Sequence, residues 1–207
     1  MDIFKDKKSA SLATAKIIKD ALVTKLNTHK RASLMVSGGR TPLKCFNALS
    51  KADVPWSRVD ITLTDERGVP QDHSDSNEKM LREHLLVQNA NRANFVSLST
   101  NNIKILQPFA CMLVGMGEDG HFASLFPGSP ELEEGLTSKA EIINITTPSS
   151  PYNRTSATFN TICDCDLIIL LIFGKTKRSI VEAPAGYPIS HLLSQEQTPV
   201  RIIWAPT

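Results

Sequence analysis

Apolar and polar positions along the chain follow two periods, which predicts helices alternating with buried strands. Between residues 9 and 26, apolar side chains such as Ile18, Leu22 and Leu26 recur at helical spacing, so this segment is predicted to be an amphipathic helix. Short apolar runs further along the chain have the length of buried strands and are bounded by Gly, Pro and polar residues.

The same pattern places the other elements, with Thr41 predicted to cap a helix that has Pro42 at its first position, and Ser76 to cap the next. Strands separated by helices imply a three-layer α/β fold, in which a mostly parallel, twisted, Rossmann-like sheet carries helices on both faces. The predicted helices are 9–26, 43–49, 76–86 and 175–183, and a polar loop (64–75) and a Pro/Ser connector (147–151) lie between strands. The predicted strands are 32–36, 59–63, 95–98, 109–114, 141–146, 167–173 and 200–204, with 154–159 extended.

Composition narrows the class of protein. The chain has 207 residues, of which 41% are hydrophobic and 21% charged, and this suits a single domain over residues 1–207. A net charge of +2 gives no general attraction for nucleic acid or an anionic membrane. The longest apolar run, 167–173, is too short to cross a bilayer. We therefore expect a protein that binds neither nucleic acid nor membrane.

Four cysteines fit a reducing, cytoplasmic setting. Cys45 falls in a predicted helix and Cys111 in a predicted strand, so both are expected to be buried free thiols. Cys163 and Cys165 lack the partners of a zinc site, which favours ordinary packing.

The most informative segment is residues 113–128, where an apolar strand breaks into a glycine-rich turn that carries Asp119 and His121. Open α/β sheets place active sites at such strand ends, and His moves protons near neutral pH. Part of the turn matches the dinucleotide fingerprint G-x-G-x-x-G. That interpretation is disfavoured, because two acidic residues would face the pyrophosphate, and Pro127 and Gly128 stop any following helix after about two turns.

Two further loops follow predicted strands. Residues 37–42 (Ser-Gly-Gly-Arg-Thr-Pro) combine glycines with a helix start, which makes either an anion cradle or merely a tight turn. The cradle lacks the Lys and the spacing of a P-loop, so a sugar phosphate fits it better than a nucleoside triphosphate. Residues 64–70 (Thr-Asp-Glu-Arg-Gly-Val-Pro) place three ionisable side chains at a strand end, where a solvated turn is the alternative to a functional role.

Two cations are candidates for holding a phosphate dianion. Arg154 begins a predicted extended segment, and Lys177 lies at a strand-to-helix junction. Arg binds phosphate bidentately and Lys binds it as a point charge, although either residue could equally belong to a charged loop without a ligand.

Taken together, these segments resemble the 6-phosphogluconolactonase family. The resemblance rests on residues 37–42, on 65–70 with 76–77, and on 115–128, and continues through 154–155, 174–177 and 187–188. In the related glucosamine-6-phosphate deaminases, the Gly-His pair usually continues as Ile-Ala-Phe-Asn-Glu-Pro. This chain has Phe-Ala-Ser-Leu-Phe-Pro-Gly, the lactonase form.

The resemblance implies hydrolysis of 6-phospho-D-glucono-1,5-lactone to 6-phosphogluconate, the second step of the oxidative pentose phosphate pathway. His121 is expected to be the general base that activates water, with Asp119 orienting it. Arg67 would stabilise charge or place the substrate, and Asp65 would bind sugar hydroxyls or support the site. The expected phosphate-binding residues are Ser37, Gly38, Gly39, Arg40, Thr41, Arg154 and Lys177.

Neither a metal nor an organic cofactor is expected to be required, and we expect a monomer. A serine nucleophile is disfavoured, because neither Ser37 nor Ser124 sits in a G-x-S-x-G elbow. Two alternatives stay open. One is an isomerase-deaminase that uses Asp65 as a base at a substrate carbon, and the other is a sugar-phosphate-binding protein without catalysis.

The chain departs from the family pattern in four places. The family commonly has Asp, Ser and Thr where this chain has Ala110, Arg40 and Phe122. The segment between Leu98 and Phe109 is also short, and we expect it to lack a helix.

Overall fold

The computed structural model describes residues 1–147 and 151–207, in which strands and helices alternate along the chain. The strands are β1 (Asp2–Ile3), β2 (Ala32–Val36), β3 (Val59–Leu63), β4 (Asp65–Arg67), β5 (Asn94–Phe95), β6 (Cys111–Val114), β7 (Ile142–Ile145), β8 (Arg154–Ala157), β9 (Ile168–Phe173) and β10 (Val200–Ala205). The helices are α1 (Lys7–Thr28), α2 (Leu43–Leu49), α3 (Asn77–His84), α4 (Thr100–Leu106), α5 (Leu132–Thr137), α6 (Phe159–Cys163), α7 (Lys175–Glu182) and α8 (Ile189–Ser194).

Seven strands form a parallel sheet in the order β1-β10-β9-β6-β2-β3-β5. From β2 the chain builds the sheet in one direction, through β3 to β5. From β6 it builds in the other direction, through β9 to β10. The strand order therefore reverses between β2 and β6, and open α/β sheets bind ligands in the crevice at such a reversal, beyond the carboxyl ends of the strands.

Successive side chains of the central strands supply two separate cores. In β2, Leu34 and Val36 join the core that contains Ile18 of α1 and Phe46 of α2. Met35, between them, joins the core on the opposite face with side chains of α4 and α8. Because adjacent residues of a strand point to opposite faces, this alternation requires helices on both sides of the sheet. The predicted three-layer α/β fold is confirmed.

Several predicted elements agree with the structure. The strands 32–36 and 59–63 have the predicted bounds, and the other predicted strands and helices overlap observed ones, with differences of a few residues at their ends. The Ser76 side chain caps α3 by accepting a hydrogen bond from the Lys79 backbone N–H, 3.2 Å away, as predicted.

A second, antiparallel sheet of order β4-β8-β7 was missed. The segment 65–67 was predicted to be part of a polar loop, but its backbone pairs with β8. Asp-Glu-Arg has no strand-like alternation, so this pairing depends on a segment almost ninety residues away in the chain. The predicted connector 147–151 lies mostly outside the described residues.

Two local predictions were wrong. A helix, α4, does occupy the segment between Leu98 and Phe109, because Ile103 and Leu106, three residues apart, both enter the core. Thr41 does not cap α2. The Pro42 carbonyl accepts the Phe46 N–H at 2.8 Å, so Pro42 takes the capping position without a side-chain bond.

All four cysteines are free thiols, and Cys45 and Cys111 are fully buried, as predicted. Burial raises the pKa of the Cys45 and Cys111 thiols, and raises the pKa of Cys163 and Cys165 to about 12. Within the described residues, no helix combines the length and the apolar character that a membrane span needs.

Candidate active site

A cavity of about 300 Å³ opens at the carboxyl ends of the central strands. Three of its walls are the segments that leave β2, β3 and β6, and a fourth is the start of α7, after β9. The site thus lies where the strand order reverses. Its lining residues are Ser37, Gly38, Gly39, Arg40, Thr41, Asp65, Arg67, Asn77, Gly115, Met116, Gly117, His121, Ala123, Arg154 and Lys177.

Every site residue predicted from the sequence lines this cavity except Asp119. Asp119 stands beside the cavity instead, with its Oδ1 atom 2.6 Å from Nδ1 of His121. A carboxylate only accepts hydrogen bonds, so this contact holds the imidazole proton on Nδ1 and leaves the Nε2 lone pair available.

Gly117 makes room for the Asp119–His121 pair. A Cβ atom at Gly117 would lie 2.2 Å from His121 Nδ1 and 2.4 Å from Asp119 Oδ1. The His121 carbonyl also accepts the Gly117 N–H at 2.9 Å, which closes the turn. A side chain at this position would therefore force the pair apart.

Phe126 is a site residue that the sequence reasoning missed. Its ring is packed against the His121 imidazole, with centroids 4.0 Å apart, and the Arg154 guanidinium lies 5.3 Å from its centroid. Phe126 is nearly fully buried, so one apolar side chain fixes both a candidate base and a candidate phosphate ligand. Its sequence signal was only that of a core phenylalanine within a motif.

Asp65 is the centre of a buried hydrogen-bond network. Its Oδ1 atom accepts from the Thr64 hydroxyl at 2.9 Å, and its Oδ2 atom accepts from the Ser124 hydroxyl at 2.6 Å. Arg154 Nη1 lies 3.6 Å from the same Oδ2. Both carboxylate oxygens are therefore occupied, and the Asp65 side chain is only 7% exposed.

The hydrogen bonds of this network all donate in the same direction, towards Asp65. Thr64 gives its hydroxyl proton to Asp65, so Ser37, 2.9 Å from Thr64, must donate to the Thr64 oxygen. The Ser37 oxygen in turn accepts from the Gly115 N–H at 3.4 Å. This chain of hydrogen bonds joins the loops after β2, β3 and β6, and it ends on the Asp65 carboxyl group.

Arg67 and Arg154 face each other across β4 and β8, where they are directly paired. Burial lowers the pKa of the Arg154 guanidinium, the charge of Asp65 opposes that shift, and the charge of Arg67 adds to it. The Nε atoms of both arginines are buried without a hydrogen-bond partner in the described part of the chain. Like charges placed opposite each other are unfavourable unless anions compensate them.

Lys177 is half-buried in the first turn of α7. Burial lowers its pKa, and the nearby charges of Glu118 and Asp119 partly oppose that shift. The two carboxylates belong to the glycine-rich loop, so Lys177 stands close to the Asp119–His121 pair.

Asn77 and Glu66 are two more residues whose contribution the sequence did not reveal. The Asn77 amide donates to the Asp65 carbonyl at 2.8 Å, and it fills the space beside Gly38, where a Cβ atom would lie 2.0 Å from Asn77 Oδ1. The Glu66 carboxylate accepts the N–H groups of Asn77 and Glu78 at the start of α3, at 2.8 and 2.7 Å. Glu66 thus anchors the helix that presents Asn77 to the cavity.

Comparison with known proteins adds independent evidence. The sequence pattern of the family described as Glucosamine-6-phosphate isomerases/6-phosphogluconolactonase matches residues 5–206. The chain is 35% identical to the 6-phosphogluconolactonase of Caulobacter vibrioides, over 93% of this chain and 91% of that protein. It is 33% identical to that of Rhizobium meliloti, over 100% and 98%. The crystal structure of a 6-phosphogluconolactonase from Shewanella baltica superposes with a TM-score of 0.92 at 33% identity, covering 99% of this chain and 96% of that one.

Proposed function

The chain belongs to the glucosamine-6-phosphate isomerase/6-phosphogluconolactonase family, and we propose that it hydrolyses 6-phospho-D-glucono-1,5-lactone to 6-phosphogluconate in the oxidative pentose phosphate pathway. The observation that carries this proposal is the His121–Asp119 pair, 2.6 Å apart at the wall of a cavity rich in cations. Water attack on a lactone needs a base, a stabilised oxyanion and a grip on the phosphate, and the lining residues offer all three.

In the proposed reaction, Nε2 of His121 takes a proton from a water molecule as the water oxygen bonds to the ring carbonyl carbon. The carbonyl oxygen becomes an oxyanion, which the Arg67 guanidinium stabilises. When the intermediate collapses, the bond from that carbon to the ring oxygen breaks, and His121 returns its proton to the leaving oxygen. Asp119 holds the imidazole in the required tautomer and stabilises the imidazolium.

The phosphate is proposed to bind between Lys177, Arg154 and the loop 38–41. Gly38, Gly39, Arg40 and Thr41 all line the cavity. An anion there would also give partners to buried guanidinium N–H donors, and buried donors are seldom left without one. Ser37 is proposed to shape this loop, since its hydroxyl is engaged with Thr64.

The remaining features of the proposal concern the whole molecule. We propose a single domain, monomeric and cytoplasmic, whose partner is the small sugar-phosphate lactone and which binds no nucleic acid. The match over residues 5–206 supports the single domain. The net charge of +2 supports the absence of a polyanionic partner.

The test is a lactonase assay on freshly generated 6-phosphogluconolactone, with spontaneous hydrolysis subtracted at every point. Ammonia release from glucosamine 6-phosphate is measured in parallel. Lactone hydrolysis above the blank without ammonia release is expected. Ammonia release without lactone hydrolysis would establish the isomerase-deaminase alternative, and stabilisation by 6-phosphogluconate without any turnover would establish a binding protein.

A second arm of the assay adds EDTA. The proposed mechanism uses only protein groups and water, so turnover should be unchanged after exhaustive chelation. Activity that disappears with EDTA and returns with a divalent metal would contradict a metal-free reaction.

A further inference from the structure

We propose that Ser124 is a positioning residue that acts on the reaction through Asp65, by holding its carboxylate in a fixed orientation beside Arg154. This inference rests on the proposed lactonase function. Ser124 is fully buried and does not line the cavity, so its hydroxyl has no route to the substrate. Any effect of that hydroxyl on catalysis must pass through the groups that it touches.

The Ser124 hydroxyl touches one charged group, the Asp65 carboxylate, at 2.6 Å. Its backbone N–H donates to the Ser156 hydroxyl at 3.2 Å, which fixes the segment against β8. Ser124 lies three residues after His121 on the same loop. The contact therefore ties the loop that carries the candidate base to the strand end that carries Asp65.

The other oxygen of Asp65 is occupied by Thr64, at the end of the directional chain from Gly115. Two O–H donors thus point at the two oxygens of one carboxylate. Each carboxylate oxygen has a second lone pair, so these contacts fix the orientation of the Asp65 carboxylate and leave it free to face Arg154 as well. Asp65 is consequently held in one position, where its charge holds Arg154.

The test is a double-mutant cycle with the full chain, using Ser124→Ala, Asp65→Asn and both together. Ser124→Ala should raise KM for the phosphorylated lactone on the order of tenfold, the effect of a lost hydrogen bond to a charged group, with a much smaller change in kcat. In the Asp65→Asn background the same substitution should add little, because coupled residues are not additive. Equal effects in both backgrounds would overturn the proposal.

Ser11→Ala is the matched control. Ser11 is also a buried serine, but its hydroxyl donates to the Lys7 carbonyl within α1, away from Asp65 and Ser124. It should leave KM within about twofold, as expected for a change that leaves the Asp65 carboxylate contacts intact. An equal rise in KM in both serine variants would show a loss of packing and not a role through Asp65. If Asp65→Asn does not fold, Arg154→Ala supplies the second background.

If the wild type hydrolyses no lactone, the proposed function fails, and the cycle is then measured in the dissociation constant for 6-phosphogluconate.

Discussion

The two aspartates of the site lie in contrasting surroundings. The Asp119 side chain is 45% exposed and holds the His121 ring on the glycine-rich loop. The Asp65 side chain is 7% exposed, with both oxygens bonded and a guanidinium nearby. A charge that is half in water can take part in chemistry at little cost to folding, whereas a buried, fully bonded charge is part of the fold. The contrast predicts that the two halves of the site fail in different ways when they are altered.

The largest effect is expected from His121→Ala, which removes the proposed base from the exposed half. We expect kcat to fall by roughly 10²–10⁴, the usual contribution of a general base, while the thermal transition stays close to that of the wild type. His29→Ala, an exposed histidine outside the cavity, is the control. Near-normal turnover by folded His121→Ala would remove this residue from the mechanism.

The second-largest effect is a loss of stability, and it is expected when Asp65, the buried aspartate, is altered. Asp65→Ala leaves Arg154 without its carboxylate and two hydroxyls without an acceptor, so the free energy of unfolding should drop by about 3–5 kcal/mol. Asp119→Ala should change it by less than about 1 kcal/mol, as for exposed ion pairs. Urea unfolding of both variants measures the difference, and similar losses in the two would abolish the distinction between the aspartates.

The third effect distinguishes binding of the substrate phosphate from hydrolysis of the lactone ring. Arg154→Ala and Lys177→Ala should each weaken binding of the phosphorylated lactone by about 1.5–3 kcal/mol, the value of a charge-assisted bond. The loss should shrink on glucono-1,5-lactone, which lacks the phosphate. Lys175→Ala alters an exposed lysine in the same turn of α7 and is the control. Equal losses on both lactones would refute the phosphate assignment.

The smallest effect is a pH dependence of ligand binding. Burial lowers the pKa of Lys177, so in the free protein the ammonium loses its proton at a lower pH than an ordinary lysine does. Affinity for 6-phosphogluconate should therefore fall as pH rises through that lowered pKa. In Lys177→Arg the guanidinium stays charged, so the fall should be absent, whereas Lys175→Arg should keep it. Calorimetric titrations between pH 7 and 10 decide between these outcomes.

The folding of the free protein should show the opposite trend. A lysine whose pKa is lowered in the folded state binds its proton less tightly there than in the unfolded chain. The burial cost of its charge is therefore present at neutral pH, and it is relieved as pH rises through the lowered value. This contribution of Lys177 to stability should thus increase at alkaline pH while ligand affinity declines.

Much of the parallel sheet could be predicted from the sequence, because most of its strands are local apolar runs such as 32–36 or 59–63, whereas the two-residue edge strand β1 was not predicted. The antiparallel sheet could not, since the strand at 65–67 is made of charged residues and exists only through pairing with β8. The helix α4 was also missed, because its core-facing side is only Ile103 and Leu106.

The residues predicted to form the site meet at one cavity for a topological reason. Ser37, Asp65 and His121 each follow a strand, and parallel strands bring their carboxyl ends to one edge. The sequence could not reveal which side chains of the site are already hydrogen-bonded to other residues of the protein. The Ser124 contact with Asp65 joins positions 59 residues apart and leaves no periodic signal. Phe126 likewise could not be distinguished from an ordinary core residue.

The four free thiols, three of them buried and Cys165 partly buried, can report on local unfolding of the chain. Cys45 lies in α2, Cys111 in the central strand β6, and Cys163 and Cys165 around the turn that leads into β9. Only a thiolate reacts quickly with a disulfide reagent, and burial raises the pKa of all four thiols. The folded chain should therefore ignore such a reagent at neutral pH. The rate at which each cysteine is labelled then measures how often its own layer of the molecule unfolds, without any engineered cysteine.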